Sequence, residues 1–186
     1  MRRTVCTLLT SCLLALTACT GGGSSTSSTP TAGEADVVAW IDKVCGAVGG
    51  TAKIMSDEPP IDMNDPEKLR TGLSEWLGTK ITAVEKSIAD LKALENGPHA
   101  RSKELATTAE QGMEQVRTLL ADTRSKVDSA ADETQVVTAF TEMATKATEL
   151  ENAGAAVRGK FDETGLAGAS QKAASCKELQ ASAPTP

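Results

Sequence analysis

The chain has 186 residues and a formal net charge of −6, with 25 Asp and Glu against 19 Lys and Arg. This acidic balance, with no basic cluster to reverse it, makes the chain poorly suited to nucleic acid or anionic lipid head groups, and no nucleic-acid partner is expected. Aromatic residues are confined to Trp40, Trp76, Phe140 and Phe161, so a core must be built from Ala, Val, Leu, Ile and Met, which suits closely packed helices better than sheets.

Met1-Arg2-Arg3 is a short cationic head, and Val5 to Ala18 is mostly apolar. A permanent membrane-crossing helix needs about 20 apolar residues. This shorter run, ending in small residues, has the form of a secretory signal peptide. Its end, Leu16-Thr17-Ala18-Cys19, resembles the lipobox of bacterial lipoproteins, in which an apolar residue and two small ones precede an obligatory cysteine. The resemblance implies that residues 1–18 are removed and that Cys19 becomes an N-terminus thioether-linked to a diacylglycerol carrying palmitate-type chains. Leu9-Thr10-Ser11-Cys12 fits the same pattern. Cleavage there would leave too little apolar sequence before the cut and would strand Leu13 to Leu16 in the mature protein. The competing expectation is an ordinary secreted protein cut after Ala18, with a free Cys19.

One acyl chain binds a membrane only marginally, at about 0.8 kcal/mol per buried methylene, whereas two or more anchor stably. The expected location is therefore the extracytoplasmic face of the cell membrane, lipid-anchored through Cys19. Residues 20–33, TGGGSSTSSTPTAG, have the composition of a flexible tether, with a reach on the order of 20 Å. The parts expected are thus a leader over 1–18, a lipidated cysteine and tether over 19–33, a domain over 34–181 and a frayed tail over 182–186. Loss of Arg2 and Arg3 with the leader takes the net charge from −6 to −8. The domain, at roughly 150 residues, is long enough for one hydrophobic core.

Helical spacing runs through that domain. Val37, Ile41, Val44, Val48, Ala52 and Met55 form one stripe; Leu73, Leu77, Ile81, Val84, Ile88 and Leu91 form a second. A third, more interrupted, passes through Leu105, Ala109, Met113, Val116, Leu120, Thr123 and Val127. The fourth alternates steps of four and three from Val136 through Phe140, Met143, Ala147, Leu150, Gly154 and Val157 to Phe161. Such alternation marks helices crossing at shallow angles. Asp65-Pro66 is a favourable helix start, Asn96-Gly97-Pro98 stops one helix and begins the next, and Asp132 with Gln135 forms a variant capping box. Asp122 with Lys126, and Glu142 with Lys146, are acid-before-base pairs four apart that mark solvated faces. The predicted fold is all-α: a four-helix up-down bundle followed by a short terminal helix, about Ser170 to Gln180.

Of the five cysteines, only Cys19, Cys45 and Cys176 would remain in a mature chain cut after Ala18. With Cys19 acylated, Cys45 and Cys176 are a pair in an oxidising compartment, and the expectation is a disulfide tying the terminal helix to the first. They are far apart in sequence and lack the C-x-x-C spacing of redox-active pairs. The leader, the tether, the Trp40-to-Cys45 element and the late Cys176 together resemble small lipid-anchored helical envelope proteins of high-GC Gram-positive bacteria. That resemblance implies a location and little else.

Groups for catalysis are scarce. His99, the sole histidine, follows Gly97-Pro98 at a helix start and reads as a turn residue. Glu95 lies four before it, but the intervening Gly and Pro keep the pair off one helical face, as a metal site would require. There is no Gly-rich phosphate loop and no G-x-S-x-G; no enzyme activity, metal or cofactor is expected. Gly46, Gly49 and Gly50 interrupt the first helix, where each costs up to about 1 kcal/mol relative to alanine. They predict close helix approach beside the disulfide, a kink, or a groove or pocket walled by Trp40 and Trp76. The function expected is a non-catalytic envelope module that binds another envelope protein or a wall component. The alternative is a carrier or sensor of a small apolar ligand or lipid held between the helices.

Overall fold

In the computed structural model the described residues are 33–55, 57–59 and 65–181, with 51–55 and 148–158 described as backbone only. The leader, the lipobox with Cys19, the tether up to residue 32 and the tail at 182–186 lie outside them. So do the side chains of Ala52, Met55, Leu150 and Val157. The described residues are helical with no strand, in the order α1 (Glu34–Met55), α2 (Pro66–Ala93), α3 (Ser102–Ser129), α4 (Glu133–Glu163), α5 (Ala167–Lys172) and α6 (Ala174–Ala181).

Local chemistry sets the boundaries. The Asp65 side chain accepts the backbone N–H groups of Glu67 and Lys68 at 3.2 and 3.1 Å, with Pro66 next in line, so α2 starts where cap and proline agree. Asp132 accepts the Gln135 N–H at 2.9 Å, and the Gln135 side chain reaches back to the N–H of Ala131 at 3.0 Å. This is a capping box displaced by one residue. At the head of α1, the Asp36 carboxylate accepts the N–H of Gly33 at 3.2 Å. The turn after α2 is longer than expected: α3 begins at Ser102, not at Pro98, and the Ser102 hydroxyl accepts the His99 N–H at 3.0 Å.

Helices α2 and α3 form an antiparallel hairpin. Arg124, late in α3, reaches Ser74, early in α2, at 3.2 Å. Helix α4 packs back along α3, pinned at one end by Lys126–Glu142 at 2.5 Å and at the other by Lys160–Glu104 at 3.7 Å. The first of these corrects the expected pairing: Lys126 reaches across to α4 instead of staying with Asp122 on its own helix. Its acceptor, Glu142, has its pKa lowered by that hydrogen bond and charge.

Two core clusters share the hairpin. One gathers Leu69, Leu73, Leu77, Val84, Leu120, Val127, Val136 and Met143 from α2, α3 and α4. The other, at the α2–α3 turn, gathers Trp40, Ile41, Val44, Cys45, Leu91, Leu105, Ala109, Leu166, Ala173 and Cys176. Met113 packs against both. Helix α1 thus closes one end of the hairpin with α5 and α6.

The terminal segment departs from the single helix expected over Ser170 to Gln180. It is two helices broken at Ala173, whose ψ of 128° is extended. The break re-aims the chain so that Ser170, Ala173 and Cys176 are all buried. The Cys45–Cys176 disulfide is formed, with Cα atoms 5.0 Å apart, and both half-cystines are inside the core.

Candidate functional site

Helix α1 presents two surfaces with different roles. Ile41, Val44 and Cys45 point into the core, whereas Glu34, Ala35, Val38, Ala39 and Asp42 recur on another face. That second face and the α5–α6 corner at Lys172, Ala173 and Ala174 form an open groove of about 700 Å³. Its floor is alanine and valine. Its polar rim is already paired within the molecule. Lys172 hydrogen-bonds Glu34 across one mouth, and this contact and charge lower the Glu34 pKa. At the other end Asp42 accepts the Ser175 backbone N–H at 2.8 Å, capping the start of α6. Chemically the groove offers shape and apolar surface, not a free acid or base.

The residues singled out in the sequence are distributed differently. Trp40 is buried, and its indole N–H donates to the Leu94 carbonyl at 2.9 Å, tying α1 to the end of α2. Trp76 packs against the other cluster, with its ring centroid 5.9 Å from that of Phe140. The structure does not bring the two tryptophans to one wall. Gly46 and Gly49 lie under α6: a Cβ on Gly46 would stand 3.5 Å from the Ser175 hydroxyl, and one on Gly49 3.9 Å from Leu179. Gly50 has open space around it. Those at Gly46 and Gly49 are ordinary van der Waals distances, so a methyl group fits at either position and close helix approach does not demand glycine at any of the three.

His99 sits in the α2–α3 turn, where its Nδ1 accepts the Arg101 N–H at 3.2 Å. Among the described residues no group of His, Cys, Asp and Glu is arranged to hold a metal ion, and no helix is long and apolar enough to cross a membrane.

Sequence reasoning missed the groove because its floor residues are small. Alanines on a helix face give almost no signal by spacing, and the opposing wall exists only once α5 and α6 fold over α1. It also missed Lys80, which occupies a core position of α2 where Ile81 was expected; Ile81 is only half-buried. Comparison with family models, curated proteins and solved structures finds no match for this chain.

Proposed function

We propose that the protein is a non-catalytic lipoprotein of the cell envelope. Acylated at Cys19 and held by its tether on the extracytoplasmic face of the membrane, it presents the helical domain as a binding module for another envelope protein or a wall component. The observation that carries this reading is the Cys45–Cys176 disulfide. It uses both cysteines that the mature chain would retain beside Cys19, and structural disulfides persist in oxidising compartments. That agrees with export through a leader ending in Leu16-Thr17-Ala18-Cys19. The self-paired rim of the α1 groove points the same way, toward contact and away from catalysis.

Attachment is tested by growing cells with labelled palmitate and fractionating them. The parent chain is expected to carry label and sediment with membranes, and Cys19→Ala to lose the label and leave them. Label or membrane association persisting after that change would defeat the anchoring. The binding role is tested with a photo-cross-linker at Ala39 on the groove. One envelope component should be captured, and capture should be lost when Ala174→Arg fills the opposite wall. A profile insensitive to that arginine would count against the groove. A second reading, a carrier or sensor of a small ligand held between the helices, draws on the Trp76 indole N–H, which is buried without an acceptor.

A further inference from the structure

The buried positions of α2 run Leu69, Leu73, Leu77, Lys80, Val84, Ser87 and Leu91. These steps of four and three trace a helix seam, which is ordinarily apolar. Lys80 is 3% exposed. Replacing a buried charge with an apolar chain of similar volume is often neutral or stabilising, so packing alone gives no reason for a lysine here. Its ammonium lies 3.1 Å from the Asp57 carboxylate, whose side chain is 71% exposed, and 5.0 Å from the ring centroid of Trp76.

Trp76 lies one helical turn earlier on the same face. Its indole N–H is buried and meets no acceptor, although buried donors are paired as a rule. The indole of Trp40 obeys that rule through Leu94. Phe140 of α4 packs against the Trp76 ring, with centroids 5.9 Å apart, so the indole has an apolar neighbour. An ammonium and an indole N–H are both donors, and neither can accept. The partner that the Trp76 indole N–H lacks is therefore an oxygen acceptor, favoured if anionic beside the Lys80 ammonium, on an apolar body. Asp57 already shows that Lys80 takes a carboxylate.

We propose that the Lys80–Trp76 face of α2 is a binding site for a small aliphatic carboxylic acid in its ionised form. Its carboxylate bridges the Lys80 ammonium and the Trp76 indole N–H. Its hydrocarbon part lies against Trp76 and Phe140, and Asp57 is an internal carboxylate with which it competes. This site is independent of the interaction-module reading: a failure of acylation at Cys19, or of capture at the α1 groove, leaves it untouched.

The full chain carrying Cys19→Ser, which removes any attached lipid, is titrated with sodium octanoate while its two indole N–H resonances are followed by NMR. The Trp76 resonance should move and saturate, and the Trp40 resonance, held by Leu94, should stay in place. Lys80→Met should weaken binding at least about tenfold, the loss of one charge-assisted hydrogen bond. Asp57→Asn, at an exposed position, should strengthen binding several-fold by removing the competitor. Lys80→Arg, which keeps the charge if the methionine variant fails to fold, should retain octanoate binding. The proposal is overturned if the Trp76 resonance does not saturate. It is equally overturned if octanol or inorganic phosphate moves that resonance as octanoate does, or if Asp57→Asn leaves the affinity unchanged.

Discussion

Replacing Gly97 with alanine puts a methyl group where Trp40 already is. A Cβ built on Gly97 would stand 2.3 Å from Trp40 Nε1, 2.5 Å from Trp40 Cε2 and 2.6 Å from the Ser102 hydroxyl, whereas unstrained carbon contacts lie at about 3.5–4.0 Å. Neither neighbour has room to retreat. Trp40 is 5% exposed and bonded to the Leu94 carbonyl, and Ser102 is 2% exposed and bonded to the His99 N–H. Overpacking of this kind costs about 1–3 kcal/mol. Displacing the indole from its acceptor leaves a buried donor unpaired, a further cost of about 1–3 kcal/mol. The two effects overlap, and the expected loss is about 3 kcal/mol.

For a domain of roughly 150 residues, 1 kcal/mol moves the melting temperature by about 2–4 °C. Gly97→Ala should therefore melt about 6–12 °C lower by circular dichroism, with red-shifted tryptophan emission as Trp40 is expelled. Gly50→Ala is the control. Nothing lies within 4 Å of its Cβ, so the helix-propensity gain of about 0.8–1 kcal/mol should raise the melting temperature slightly. A Gly97→Ala chain that melts within about 2 °C of the parent would refute the steric argument, as would equal losses in both variants.

Removal of the disulfide by Cys176→Ala should lower stability by about 3–5 kcal/mol, because the bond closes a loop with a sequence separation of 131; an unchanged denaturant midpoint would sink the clamp. Asp65→Ala removes both cap hydrogen bonds at the head of α2 and should cost about 1 kcal/mol, with Asp65→Asn recovering most of it in the same urea titration. Glu34, Glu104 and Glu142 have folded-state pKa values lowered by hydrogen bonds from cationic side chains and the charge beside them, and that of Asp65 is lowered by the Lys68 side chain and by the backbone N–H groups of Lys68 and Glu67. Their contribution is present above the ordinary values of 4.5 for Glu and 3.8 for Asp and is lost as pH falls through the lower, folded values. Melting temperature should thus decline below about pH 4.5, less steeply at high salt because these groups are exposed. A flat profile from pH 7 to 3 would contradict this.

The acid-before-base pairs show where local reading stops. A sequence window sees Asp122 beside Lys126 and Glu142 beside Lys146, but it cannot see that α4 folds back along α3. The antiparallel packing brings Glu142 to Lys126 and makes the interhelical contact. Lys80 makes the same point more sharply. Its neighbour Ile81 is the better seam residue by hydropathy, yet the rotation of α2 is set by Leu73, Leu77, Val84 and Leu91 together, and that rotation carries Lys80 inward.

Features that depend on residues close in sequence were determined by the sequence alone. These are the helical class, the caps at Asp65 and Asp132, and much of the apolar stripes, with Ile81 half-buried and Ala147 exposed as the exceptions, because caps and periodicity act within a turn or two of helix. The Cys45–Cys176 pairing agrees with the cysteine count, in which two candidates remain if residues 1–18 are removed and Cys19 is acylated. Tertiary structure alone decided the division of the core between the two ends of the α2–α3 hairpin, the break at Ala173 and the groove beside α1. It also decided the burial of Trp40 against Gly97. Each of these is set by which surfaces meet when segments distant in sequence pack together, and small side chains such as Ala and Gly announce such meetings only by the space they leave.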